Sequence, residues 1–465
     1  MNEWIRKYGL KAVMGAGLLL LAGCQSNYSL VRVEGGRVPI TAVYDEYPDK
    51  EAEKLVEHYK EKVDSIMSPV IGYAAATLTA YRPESPLSNL IADVLRDGAK
   101  QLTGQPADVA VMNMGGIRNA LPEGNITYGT IYEIAPFENA LCVVTMDGAT
   151  LETLFSQIAS VHGEGISGAQ LVITSDGKLE EAKVGGRKIE KDKEYTIATI
   201  DYLAEGNDKL EAFRDARSKQ VSKKHLLRNL LLDYVAKCEK EGRVIQAETE
   251  NRIHCQINML VLIKMSMKMK RIWTSGWLFF LTGVLAAQNV KSLYIYHTND
   301  MHSRVEPFSD TFADTLLAGK AGMARRAAFL QQERKKHKDL LLFDAGDFSQ
   351  GTPFYNLFKG EVEIRLMNHM KYDACAIGNH EFDFGLENMA RLFKMAEFPV
   401  VCANYDVKGT VLEGLVKEYV VLERNGLRIG VFGLGAKLDG LVLMRIMDRF
   451  GLKIRFRKDS ALLIC

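Results

Sequence analysis

The sequence predicts a chain of α/β and α+β architecture in two halves, and three observations carry that prediction. From Leu293 onward, short apolar strands alternate with amphipathic helices, the pattern of a parallel sheet with helical crossovers. Between about residues 75 and 215, strand and helix candidates also follow one another, around a different set of loops. The composition, with 47% hydrophobic and 25% charged residues over 465 positions, is that of a globular chain able to bury sizeable cores. Lys and Arg number 59 against 58 Asp and Glu, so the net charge of +1 gives no global field to hold a nucleic-acid polymer. The 7 cysteines have no CxxC spacing and are odd in number, which indicates neither a disulfide framework nor a zinc ribbon.

In chain order, residues 1–24 read as an export signal: Arg6, Lys7 and Lys11, an apolar run Ala12 to Ala22, then Leu21-Ala22-Gly23-Cys24. That ending resembles a bacterial lipobox, and implies Cys24 as the lipidated first residue of an exported protein, anchored to a bacterial membrane and facing the periplasm or cell surface. Residues 25–256 form the first half. Its start is expected to be mobile as far as Pro86, where Leu87, Leu90, Ile91, Val94 and Leu95 mark a helix to Leu102. A strand at Ala107 to Met112 delivers Asn113-Met114-Gly115-Gly116-Ile117-Arg118. Paired glycines let the backbone come close to a ligand, and Arg118 offers a planar fork for phosphate or carboxylate, although such a turn alone is ordinary. A strand at Ala140 to Met146, a helix near Thr150 to Val161 and a packing helix at Lys223 to Lys240 follow.

Residues 257–288 look like a second signal or a membrane segment: Met265 to Lys270, Arg271, then an apolar stretch Trp273 to Ala287. At about 14 apolar residues it falls short of the roughly 20 that span a bilayer, so a cleavable signal, or the start of a separate protein joined by read-through, fits better. In residues 289–465, three strands end in polar loops. Asn299-Asp300-Met301-His302 follows the first, Gly346-Asp347 the second and Gly378-Asn379-His380-Glu381-Phe382-Asp383 the third. Loops at the carboxyl ends of adjacent strands converge, so Asp300, His302, Asp347 and Asn379 can surround one or two divalent ions. A lone Asp-x-His usually just faces solvent; the ordered triplet is specific.

The triplet resembles the calcineurin-like metallophosphoesterases, and within them the catalytic domain of the 5'-nucleotidases. The block from Asn113 through Pro136-Phe137 to Tyr202 and Asp208 is similar to the substrate-specificity, or C-terminal, domain of the same family, over about residues 75 to 215. The resemblance implies a C-terminal-type domain followed by part of an αββα sandwich, the reverse of the family's order. It implies Asp300 and His302 on one metal, Asp347 bridging, Asn379 on the other, and His380 with Asp383 as a catalytic pair. Asn113 and Arg118 would hold the nucleotide, while Phe137, Tyr202 and Asp208 complete the base pocket. Two divalent ions, of Mn, Zn, Mg or Fe, would generate a metal-bound hydroxide that attacks the phosphorus of an extracytoplasmic nucleotide. Tyr202 stands where Phe is usual, and Arg82, beside Pro83, is a further candidate for the substrate.

One departure bears on activity. The family supplies two more His ligands, and none of the 9 His in this sequence follows His380. A truncated catalytic domain with an incomplete second metal site is therefore expected, with turnover well below that of an intact relative. His337 and His369 are expected to be solvated or packed, and Cys142 and Cys375 to be buried thiols. Two rivals remain. The first half could be a nucleotide-binding lipoprotein module that works with a separate catalytic subunit, or the metal site could take nucleotide sugars, cyclic nucleotides or sulfur esters.

Overall fold

Strand pairing in the second half places the three polar loops side by side. In the computed structural model, described over residues 30–256, 291–310, 312 and 314–438, a five-stranded sheet runs in the order Ile295–Thr298, Leu341–Asp344, Ala374–Ala376, Val400–Val401, Val416–Lys417. Every pairing in it is parallel. Helices Met323–Lys336, Glu361–Met370 and Gly385–Met395 make the crossovers between successive strands. Parallel strands need such covered crossings, which is why the periodicity switches from 2 to 3.6 between each pair. Tyr419–Arg424 and Leu427–Phe432 form an antiparallel hairpin that turns at Asn425 and Gly426, both in the left-handed region, as a tight hairpin turn requires.

In the first half, a mixed five-stranded sheet has the order Ser218–Leu226, Ala140–Asp147, Glu194–Ile200, Val109–Met112, Gly165–Ser167. Helices Pro86–Gly98 and Gly148–Ser160 pack their apolar sides into its core, through Leu87, Ile91, Leu95, Leu151, Leu154 and Phe155. Ser85 and Asp147 cap these two helices by accepting from the Ser88 and Thr150 amides, which fixes where each begins. A second sheet runs Ile253–Gln256, Ala169–Thr174, Leu179–Val184, Arg187–Lys188.

Two expectations are corrected. The stretch before Pro86 is not a mobile start: Lys50–Met67 is a helix, capped by Asp49, whose carboxylate accepts from the Ala52 amide at 3.1 Å. Its buried Ala52, Tyr59, Val63 and Met67 belong to the core of the second half, not the first. Burying each of the three larger side chains is worth about 1.5–3 kcal/mol, enough to hold the helix in place. The helix expected from Lys223 begins only at Leu227, because Leu226 still pairs with Ala140 and Ser222 Oγ accepts from the Lys224 and His225 amides in a bulge.

The remaining helices and strands lie within a few residues of their expected positions. Cys142 and Cys375 are buried free thiols, as expected, and so are Cys238 and Cys402. Burial pushes the Cys142 thiol up to about 12. His337 stacks on Tyr294 and His369 pairs with Asp49, so neither belongs to the loop cluster. The segments read as signals, with Cys24, and the end of the chain lie outside the described residues. Among the described residues, no helix is long and apolar enough to cross a membrane.

Glu363 lies behind the first loop with 0% exposure, beside the Ser303 hydroxyl, which in turn contacts Thr352 Oγ1 at 2.8 Å. Burial raises its carboxyl from 4.5 to about 7. Below pH 4.5 both folded and unfolded chains carry the proton, so burial of this group costs nothing. Between 4.5 and about 7 the unfolded chain ionises first and stability falls, and above about 7 the loss is complete. Glu363→Gln is therefore expected to match wild type in melting temperature below about pH 4.5, to exceed it progressively up to about pH 7, and to keep a constant lead above that. A gap independent of pH, measured by calorimetry, would contradict this.

Candidate active site

Loop 298–302, loop 344–349 and loop 377–383 leave adjacent strands, and backbone hydrogen bonds tie the first to the second. The Asp300 amide donates to the Gly346 carbonyl at 3.0 Å, the His302 amide to the Asp347 carbonyl at 3.0 Å, and the Ser303 amide to the Phe348 carbonyl at 2.9 Å. These bonds hold Asp300, His302 and Asp347 at φ of +48°, +45° and +56°, a conformation that non-glycine residues avoid. Such strain costs about 1–3 kcal/mol per residue and concentrates at functional sites. Gly346 and Gly378 make the close approach possible: a Cβ on Gly346 would sit 2.5 Å from the Gly378 nitrogen.

A buried carboxylate completes the tie. Glu381, 1% exposed, accepts from the amides of Gly378 at 2.7 Å, Asp347 at 3.0 Å and Ser349 at 3.2 Å, binding the second loop to the third. Burial and the charge of Asp347 push its carboxyl up to about 7. Glu381 stands inside the third motif, but nothing in a linear reading distinguishes it from an exposed acid; its role follows from where its oxygens point.

The ligand atoms of Asp300, His302 and Asp347 all lie within 4.8 Å of one another. Two carboxylates and an imidazole around one point are a donor set suited to a divalent cation. Burial, with His380 and Arg118 nearby, lowers the His302 pKa, favouring the neutral ring that can ligate. The His380 amide donates to Asp347 Oδ1 at 2.8 Å, so Asp347 touches both neighbouring loops. His380 Nδ1 is 2.9 Å from Asp383 Oδ2, which also accepts from Gln350 Nε2 at 2.9 Å. Burial acts to lower the His380 pKa, but the Asp383 carboxylate overrides it and the net shift is upward.

The first half closes the site from the other side. A cleft of about 290 Å³ is lined by Asn113, Arg118, Phe137, Tyr202 and Asp208, together with Asn379, His380 and Asp383. All five residues expected to hold substrate thus meet three of those expected to do chemistry. Asp300, His302 and Asp347 do not line the cleft itself, but the His302 ring is 5.1 Å from that of His380. Asn113 Nδ2 donates to Asp208 Oδ2, and the Tyr202 hydroxyl donates to Asp208 Oδ1 at 2.9 Å. Gly116 lets the turn pack close to Asn113: a Cβ there would lie 2.6 Å from Met112 Cε and 2.7 Å from Asn113 Oδ1, so those side chains would have to shift. Arg118 lies over Phe137 at 5.9 Å, and Phe137 stacks on His380 at 5.5 Å with an interplanar angle of 18°.

Arg82 does not line this cleft. It pairs with buried Glu164, whose other oxygen accepts from the Met114 amide, so Arg82 supports the Asn113 turn from behind. Arg228 plays a similar part for Phe137. Buried at 4% exposure, it donates to the Pro136 carbonyl at 3.0 Å and to Glu138 at 2.9 Å, and stacks over Tyr132 at 4.2 Å. The same Pro136 carbonyl accepts from Asn356 Nδ2 of the second half at 3.0 Å. The only linear signal for Arg228 is a charge on the apolar side of a helix, between Leu227, Leu230 and Leu231.

Comparison with known proteins bears on both halves. Residues 69–215 match the 5'-nucleotidase C-terminal domain, and residues 293–445 match the calcineurin-like phosphoesterase domain. The venom 5'-nucleotidase of Crotalus adamanteus is 39% identical over 164 residues, 34% of this chain and 28% of that protein. The 5'-nucleotidase of Homo sapiens is 40% identical over 151 residues, 31% of this chain and 26% of that protein. The chain therefore matches less than a third of the length of either relative. A 5'-nucleotidase precursor from Thermus thermophilus shares 24% identity over 44% of this chain and 43% of its own, with a TM-score of 0.40. The chain thus carries a match to the 5'-nucleotidase C-terminal domain first and a match to the calcineurin-like phosphoesterase domain second, the reversed order expected from the sequence.

Proposed function

We propose that the chain is a phosphoric monoester hydrolase that removes phosphate from nucleotides, with a divalent metal held by Asp300, His302, Asp347 and Asn379. The observation that supports this reading most is the shared cleft, in which Asn113, Arg118, Phe137, Tyr202 and Asp208 of one half face Asn379, His380 and Asp383 of the other. Metal bound there would supply Lewis-acid polarisation of the phosphoryl group and a reactive oxygen nucleophile. Two ions, with Asp347 between them, are the fuller form of the proposal.

The remaining steps fall to side chains. Arg118, with its fixed fork of donors, orients the anionic end of the substrate at the cleft mouth. Asp208, held by Asn113 and Tyr202, fixes the sugar side of the pocket. A ring separation of 5.5 Å between Phe137 and His380 is that of direct contact, so a base uses the opposite face of Phe137. His380, oriented by Asp383 and with its pKa raised, keeps a proton for the leaving oxygen or for the developing charge. Export and a lipid anchor at Cys24 belong to the same proposal, and rest on the signal-like residues 1–24.

The test is direct. Chain purified in chelator and assayed with adenosine monophosphate is expected to release phosphate only after Mn, Zn, Mg or Fe is restored. Equal release in chelator would overturn the reading. Binding of nucleotide without release under any of these metals would favour the rival module that serves a separate catalytic subunit.

A further inference from the structure

The Lys50–Met67 helix belongs by chain to the first half and by packing to the second. Among the described residues, buried apolar side chains fall into two clusters. One spans Ala74 to Ile253, and the other joins Ala52, Tyr59, Val63 and Met67 to residues from Met301 onward. Polar contacts follow the same division along the whole arm. The Ala321 amide donates to the Ile40 carbonyl at 2.8 Å, and Arg325 forks onto both Asp45 oxygens at 2.7 and 2.6 Å. His369 Nε2 lies 2.9 Å from each Asp49 oxygen, Tyr59 donates to Glu361 at 2.9 Å and Lys60 to Glu306 at 2.6 Å.

These contacts alternate in sign, with acidic Asp45 and Asp49 meeting Arg325 and His369 while basic Lys60 meets Glu306. Such a pattern selects one register and one partner rather than any apolar groove. The arm enters the Val70–Ala74 strand after only two residues, so it is a firm extension of the first half. The covalent connection between the halves is residues 257–290, none of which is among the residues named in these contacts. Without a phosphoesterase partner, the arm would expose an apolar stripe at positions 52, 59, 63 and 67, the spacing of one helix face.

We infer that residues 40–67 are a docking arm by which the first half binds a calcineurin-like phosphoesterase domain, so that the two halves remain one particle as separate chains. The inference deepens the proposed function, since it rests on the reading of the cleft as one site assembled from both halves, but its test does not depend on turnover.

A specific protease site is placed within residues 257–290 of the full chain, and the folded protein is cleaved and run on a sizing column. The two fragments are expected to co-elute at micromolar concentration. In the same cleavable chain, Tyr59→Ala with Val63→Ala is expected to weaken their association about a hundredfold or more, so that they separate. Circular dichroism of the uncleaved variant establishes that both halves are folded before cleavage. Separation of the wild-type fragments would overturn the inference, and so would variant fragments that stay together as tightly as wild type. A co-eluting pair that releases no phosphate supports the arm while refuting the hydrolase reading.

Discussion

Asp347→Asn is expected to lower phosphate release by about a thousandfold or more while leaving the fold intact. The expectation follows from the number of things Asp347 does at once. Its carbonyl accepts from the His302 amide, its amide donates to Glu381, and its Oδ1 accepts from the His380 amide. Asparagine keeps the size, retains an acceptor for the His380 amide and tolerates the left-handed φ of +56°. The charge is what is lost, and if the site holds the proposed divalent cation that charge is worth several kcal/mol of metal binding and transition-state stabilisation. Steady-state kinetics together with metal content separate the two effects. Turnover within a few-fold of wild type, at equal metal loading, would refute a metal role for Asp347.

Phe137→Ala is expected to raise KM for nucleotides by about 5- to 150-fold, the equivalent of the roughly 1–3 kcal/mol that stacking of one base on an aromatic face contributes. A phosphoester with no base, such as a simple sugar phosphate, should lose little. This contrast also separates the substrate classes, because sulfur esters carry no base and should be indifferent to the change. The Pro136 carbonyl, held by Arg228 from one half and Asn356 from the other, keeps the loop in place in the variant. An equal loss on all substrates would mean that Phe137 acts through the His380 ring it stacks on, not through the base.

The candidate catalytic loops were legible because their residues are compact in sequence. Asp300 and His302, Gly346 and Asp347, and Asn379, His380 and Asp383 each lie within a few residues of a strand end, and parallel neighbours must bring such loops together. The residues proposed to hold substrate are dispersed from Asn113 to Asp208, and only family resemblance grouped them before the cleft did. Arg228, Glu381 and Arg82 were not legible in their supporting roles. Each acts on backbone groups distant in sequence, and a lone charge carries no mark of the carbonyl or amide it will meet.

The Lys50–Met67 helix shows the boundary most clearly. Its apolar residues at 52, 55, 56, 59, 63 and 67 have helical spacing, so its existence was open to a closer reading of periodicity. Its allegiance was not, since periodicity reports that a face will be buried and never against what. By itself, the sequence determined the two domain types, their reversed order and which polar residues stand at the strand ends as metal candidates, because these depend on local pattern. Only the tertiary structure decided that the arm belongs to the second core, that Phe137 lies on His380, and that both halves share one cleft. Those are contacts across hundreds of residues, selected by packing and charge complementarity rather than by any local preference.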